Sequence, residues 1–388
     1  MARLVGVDKW LFFITVLLVV AGLVMVFSAS AVMAQERYHS PYTFVGKQAL
    51  WALGGVVMMV LLMKVDYKIY NTRGFIYTAL GLGLALLLLA FKFTSHNTHR
   101  WIRFGDFFTF QPSEIAKPAL VLFLAWFLQS RLNQMDDWKR TLLPAAAVPL
   151  VFIVLVSAQP DLGTALVLFG VTVMLLLLAG MAWKYLAVIV GAAVPALICM
   201  LVFVPWRLKR MQVFFHPDAD PQGKGFHIHQ SLIAVGTGGF TGRGYMEGVQ
   251  KLFFLPEAHT DFIFANLAEE TGFVGSMLLL MLFVGFGIRG LRAAFRSQDA
   301  FARLTAFGIT ATVLLQAFFN ISVVLALLPT KGIPLPFISS GGTSVFFTLA
   351  TVGILLNIQK GGLRARAFLF SRMERQPRCP IHSTFSVE

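Results

Sequence analysis

Runs of about twenty apolar residues recur along the whole chain, and each is long enough as a helix to cross the hydrocarbon core of a bilayer. Recurring spans of that length read as a polytopic helical membrane protein. Ten spans can be drawn: Trp10–Met33, Gly46–Met63, Phe75–Phe91, Glu114–Gln129, Leu142–Ala158, Leu162–Gly180, Lys184–Pro205, Gly272–Ile288, Leu304–Leu328 and Thr343–Ile358. A chain of 388 residues that is 57% hydrophobic, with a mean hydropathy of +0.75, has the composition such a count requires. The expected fold is all-α: a polytopic integral membrane protein of about ten transmembrane helices. A long extracytoplasmic segment, residues 206–271, separates helices 7 and 8. Residues 1–360 form the transmembrane domain, and 361–388 form a basic cytoplasmic tail.

Lysine and arginine set the orientation. With an even number of spans both termini share one side. That side also receives Lys64, Lys68 and Arg73, then Lys139 and Arg140, then Arg289, Arg292 and Arg296. The positive-inside rule makes it cytoplasmic. The net charge of +14 then reflects basic loops and anionic headgroups of the membrane lipids, and no basic run interleaved with aromatics points to nucleic acid. Cys199 in an apolar span and Cys379 in the tail are not expected to form a disulfide.

The polar chemistry gathers on the opposite, outer face. Leu255–Glu270 packs Glu257, His259, Asp261, Glu269 and Glu270 into a chain that is otherwise mostly hydrocarbon. If the residues after Pro256 are helical, Asp261, Ala265, Ala268 and Glu269 share one face. A carboxylate beside Phe262 and Phe264 is a candidate general base. Glu269 and Glu270 read equally well as acidic residues favouring a helix start. Glu114 and Lys117 lie one turn apart in a span, where an uncompensated charge costs roughly 3 kcal/mol. They read either as an internal ion pair or as the lining of a polar cavity. Arg100, beside Trp101, is an interfacial anchor or a phosphate holder. Asp161 reads as a helix-start residue. Gly236–Gly244 has no Gly-Lys-Ser/Thr and reads as a flexible loop rather than a phosphate-binding one. His216, His227, His229 and His259 fit no closed zinc spacing, so no metal site is assigned. In the proline-rich loop 329–342, a structural plug and a binding role for Lys331 are equally open.

Four stretches together resemble the SEDS family (shape, elongation, division and sporulation), the polytopic peptidoglycan glycosyltransferases. They are Gln-Pro-Ser-Glu-Ile-Ala-Lys (111–117), Pro-Asp-Leu-Gly-Thr (160–164), Leu-Pro-Glu-Ala-His-Thr-Asp-Phe-Ile-Phe-Ala (255–265) and Pro-Phe-Ile-Ser-Ser-Gly-Gly (336–342). The chain resembles the division branch more than the elongation branch through Val249-Gln-Lys-Leu, Leu328-Pro-Thr-Lys-Gly and Val24-Met-Val-Phe-Ser-Ala-Ser. It departs from the division pattern at Phe253, Gln159 and Ser340, where Glu, Glu and Tyr are more usual, and Ile333-Pro-Leu-Pro has the flavour of the elongation branch.

The resemblance implies polymerisation of lipid II on the outer face of the bacterial cytoplasmic membrane, at the division septum, with Asp261 as the catalytic residue. Arg100, Glu114, Lys117, His259, Arg243, Lys251 and Lys331 are the candidate substrate-binding residues. Charge on the departing diphosphate calls for cations, either from the protein or from a divalent ion such as Mg2+ or Mn2+. Implied partners are a class B penicillin-binding protein of the FtsI type and the division proteins FtsQ, FtsL and FtsB. An elongation polymerase, a lipid II flippase and a non-enzymatic scaffold are the competing readings.

Overall fold

The computed structural model describes residues 8–93, 100–104, 108–216, 224–252, 255, 258–330 and 332–374. All ten sequence spans appear as helices. In chain order, α1 is Lys9–Tyr38, α2 Thr43–Leu62, α3 Arg73–Ala90, α4 Ser113–Gln129, α5 Leu143–Ala158, α6 Leu162–Leu178 and α7 Trp183–Val202. They are followed by α8 Pro205–Phe215, α9 Lys224–Gly238, α10 Ile263–Arg296, α11 Ala300–Val324 and α12 Gly342–Glu374. Eight of these helices are long and apolar enough to cross a bilayer, α5 being extended backwards by a π turn from Trp138. α4 and α6 have 17 residues each, about 25 Å at the helical rise, at the short end of the range for a crossing. A two-stranded antiparallel ribbon, Ile102–Phe104 with Phe108–Phe110, precedes α4.

The inner helices are α11 and α12. α11 packs against α4, α6, α10 and α12, and α12 lies along α2. α7 has no buried residue and packs mainly against α8. Several hydroxyls inside the bundle are satisfied within their own helix. Thr15, Ser30, Thr172, Thr310 and Thr348 each donate to the carbonyl four residues back, so a hydroxyl can sit at membrane depth without an orphaned donor. At one end of the bundle, Asp8 caps α1 through the amides of Trp10 and Leu11. It also accepts from Arg289 of α10 and Gln359 of α12. The start of α1 and the far end of the last span therefore meet, as an even number of crossings requires.

The segment between the seventh and eighth spans carries α8, α9 and the first two turns of α10. Two expectations need correction. Asp261 does not share a helical face with Ala265 and Glu269: it sits in a turn, and the helix starts at Ile263. The glycine run is not loose. Arg243 N and Gly244 N donate to the carbonyls of Glu269 and Glu270, and Phe273 N and Val274 N donate to those of Gly239 and Phe240. These bonds dock the run onto a break in α10 at Gly272, where φ is 65° and ψ is −160°.

The docking needs glycine at position 242 for two separate reasons. Its φ is +84°, and a Cβ there would lie 2.2 Å from the Glu270 carbonyl oxygen. Gly239 has φ +55° but open space around it. Left-handed backbone alone costs a non-glycine residue about 1–2 kcal/mol. Gly242→Ala should therefore lower the thermal stability of the purified protein clearly more than Gly239→Ala does. Equal losses would show that the close approach at 242 contributes nothing.

Candidate active site

The turn Ala258–Asp261 is held by its carbonyls. A turn leaves these oxygens without ladder partners, and buried orphans are expensive. Here four consecutive carbonyls each accept a bond from another part of the chain. Asn266 Nδ2 donates to Ala258 O at 2.9 Å, and Ser340 N to His259 O at 2.9 Å. Ser339 Oγ donates to Thr260 O at 2.6 Å, and Asn320 Nδ2 to Asp261 O at 2.8 Å. The donors come from α10, the loop before α12, and α11. The His259 ring is buried 4.8 Å from that of Phe44, and Phe262 stacks on His227 of α9.

The Asp261 carboxylate and the Arg100 guanidinium face the same small volume. A Cβ built on Gly332 would lie 2.9 Å from Asp261 Oδ2 and 3.2 Å from Arg100 Nη1. Two further arginines approach from α8. Arg210 donates to Thr330 O at 3.1 Å and Arg207 to Ser157 O at 2.9 Å. Burial, and after it the charge of Arg100, pushes the Arg210 guanidinium below its ordinary pKa; Asp261 pulls it back up and Arg207 pushes it down again. Arg210 is thus electrically coupled to Arg100, Asp261 and Arg207. Neither Arg207 nor Arg210 is among the residues the sequence singles out. Their helical spacing of three on α8 was the available signal.

The other candidate cations have carboxylate partners. Lys117 Nζ lies 2.8 Å from Glu114 and donates to Gln316 Oε1 at 2.9 Å, deep between α4 and α11. The pair lines a narrow cleft with Thr312, Gln316, Phe347 and Thr348. Arg243 meets Glu269 at 3.3 Å. Lys251 meets Glu270 at 2.6 Å and Ser28 of α1 at 2.9 Å. Glu269 also accepts from Val249 N, and Glu270 from Met246 N. The two glutamates thus hold the glycine-rich segment against α10 and α1, a duty more specific than acidity near a helix start. Asp161 has the capping role expected of it, accepting from Thr164 N and from Gln111 Nε2. Lys331 and Glu257 lie outside the described residues. Gln316 and Asn320 were passed over in the sequence, although two amides one turn apart in an apolar span are the kind of intramembrane polarity that marks a site. Among the described residues no three metal-ligating side chains gather. The arginines are the cations this site itself brings.

The cell cycle protein family that groups FtsW, RodA and SpoVE matches residues 9–362. A probable peptidoglycan glycosyltransferase FtsW from Geobacter sp. (strain M18) is 42% identical over 92% of this chain and 98% of its own length. Stage V sporulation protein E of Bacillus subtilis (strain 168) is 37% identical over 91% and 97%. Among solved structures, a chain from a peptidoglycan synthase complex, described as structurally coordinating polymerization and crosslinking, superposes with a TM-score of 0.76 at 27% identity, covering 92% of this chain and 98% of that one. The Thermus thermophilus rod shape determining protein RodA superposes with a TM-score of 0.64 at 25% identity, covering 91% and 97%.

The Glu114–Lys117 geometry makes a thermodynamic prediction. Removing one partner strands a buried charge, at a cost of about 3–5 kcal/mol, whereas removing both leaves none. Glu114→Gln and Lys117→Met should each destabilise the protein, and the double variant should lose less than the two losses added. Strict additivity in unfolding measurements would mean that the two side chains do not act as a pair.

Proposed function

Since the chain belongs to the FtsW, RodA and SpoVE family, we propose that it works through Asp261 as the general base of a lipid II polymerase. It is an integral membrane protein and a peptidoglycan glycosyltransferase of the kind its FtsW relatives are named for. The observation that carries the finer reading is the convergence of Asp261 Oδ2 and Arg100 at Gly332. A base and a cation facing one volume are what glycosyl transfer from a diphosphate needs.

In this reading Asp261 takes the proton from the hydroxyl of the acceptor sugar as its oxygen attacks the anomeric carbon of the donor. The bond from that carbon to the diphosphate oxygen breaks, and undecaprenyl diphosphate leaves with the electron pair. The α-linked donor becomes a β-linked product, so a single inversion with one base suffices. Arg100, with Arg210 coupled to it, would offset the growing charge on the leaving diphosphate. A divalent cation, Mg2+ or Mn2+, would add to that charge compensation. The site faces the outer side of the cytoplasmic membrane and both termini face the cytoplasm, a reading supported by the lysine and arginine distribution. FtsW relatives among the curated proteins favour septal synthesis during division. The likeness to a chain of a peptidoglycan synthase complex supports a partner that cross-links the strands, a class B penicillin-binding protein, with FtsQ, FtsL and FtsB as further division partners.

Asp261→Asn preserves shape and removes the base. Glycan strand formation from labelled lipid II should fall by about 10²–10⁴-fold, while membrane insertion and partner pull-down stay intact. Asp161→Asn should cost far less activity, because asparagine caps a helix almost as well as aspartate and the Gln111 amide can turn its oxygen to the new N–H. Near-normal polymerisation by Asp261→Asn would remove this residue as the base and revive the flippase and scaffold readings.

Gly332→Ala tests the geometry from the other side. The added methyl would press on the Asp261 carboxylate at 2.9 Å. Turnover should drop on the order of 10-fold or more through misplacement, with the fold intact. An alanine variant with parent turnover would show that this convergence does not shape the reaction.

A further inference from the structure

α11 is apolar over most of its length, yet it puts Gln316 and Asn320 one turn apart on one face. They are 3% and 1% exposed. An amide at that depth costs free energy unless its groups are bonded. The donors of both are directed to the same place. Asn320 Nδ2 has two hydrogens and serves two carbonyls, Asp261 O at 2.8 Å and Ile333 O at 2.7 Å. Gln316 Nε2 serves the next carbonyl along, Pro334 O, at 3.0 Å. Its own carbonyl oxygen accepts from Lys117 Nζ at 2.9 Å, and Lys117 is paired with Glu114. A continuous set of polar contacts therefore runs from the ion pair on α4, through α11, to the main chain on both sides of the reacting volume.

That volume lies between Asp261 and Gly332, the residue before Ile333. An aspartate side chain is one methylene long, so its carboxylate goes where its own backbone puts it. Asn320 grips the backbone at 261 and at 333 with a single nitrogen. We propose that Gln316 and Asn320 are positioning residues. They set the distance between the Asp261 carboxylate and the 332–334 segment that faces it, and the Glu114–Lys117 pair acts on the site through Gln316. The inference rests on Asp261 being the base.

Each amide can be cut one function at a time. Asn320→Asp keeps the shape and loses both donors. Gln316→Glu keeps an oxygen for Lys117 and loses only the donor to Pro334, whereas Gln316→Met loses both. The full chain in lipid nanodiscs is assayed with labelled lipid II for kcat and KM, beside thermal unfolding of the same samples. Asn320→Asp should lower kcat on the order of 10²-fold, the penalty for a misplacement of about 1 Å, with KM little changed. Gln316→Glu should fall with Gln316→Met. Adding Glu114→Gln to Gln316→Met should lower kcat no further, because the route is already cut. Thr310→Val, which removes a buried hydroxyl bonded only within α11, should leave kcat at the parent value.

Should Asn320→Asp not accumulate, Asn320→Gln retains the N–H groups on a longer arm and should still lower kcat in a protein of near-parent stability. Stability losses with kcat unchanged per folded molecule would overturn the proposal and leave the amides as packing groups. Parent kcat in Gln316→Glu would overturn the Gln316 arm. Asp261→Asn run alongside separates the two levels: if it is inert while the amide variants are normal, this inference alone fails, and if it is active, the base assignment beneath it fails.

Discussion

A main-chain carbonyl buried away from water must find a donor, and the turn at residues 258–261 presents four of them in a row. Helix or strand would satisfy them locally but would not project a carboxylate from the turn. The protein answers with four donors from three regions, Asn266, Ser340 N, Ser339 and Asn320. Each such bond contributes about 1 kcal/mol net, but an unmade one costs about 1–3. The turn is thus stable only when α10, α11 and the loop before α12 are all in place. The tertiary fold, not local propensity, builds the position of Asp261.

The same logic explains the acidic pair that follows. α10 breaks at Gly272, and a broken helix exposes backbone groups that the membrane cannot hydrate. The glycine-rich segment 239–244 supplies the missing partners through backbone contacts too close for a Cβ at 242. Glu269 and Glu270 then take up the amides of Val249 and Met246 and the cations Arg243 and Lys251. Ser28 extends the cluster to α1. Two carboxylates that look like candidate chemistry in the sequence are the mortar of this joint.

The ten helices were readable from the chain because bilayer thickness writes itself as apolar runs of a set length, and even the break at Gly272 coincided with the predicted start of a span. α8 and α9 were not readable, because Trp206–Gly238 is short in apolar runs and dense in glycine, histidine and basic residues. Asp161 was legible as a cap, since capping is local. Glu114 and Lys117 were legible as a pair for the same reason. Asn320 was not, because its partners lie 59 and 13 residues away and a single amide barely dents the hydropathy of α11. The assignment of Asp261 came from resemblance to a family motif; its residue type and its neighbours alone left Glu269 and Glu270 level with it.

Charge accounting separates the cations that build from those that can bind. Lys117, Arg243 and Lys251 each face a carboxylate of their own within 3.3 Å. Near Asp261 stand Arg100, which faces the same gap at Gly332, and Arg210, which feels the charges of both. Cations beside the Asp261 carboxylate favour an anion of two or more charges over a neutral sugar. In the proposed reaction the diphosphate end of the donor would therefore gain most from this site, and the gain would grow as negative charge collects on the departing oxygen.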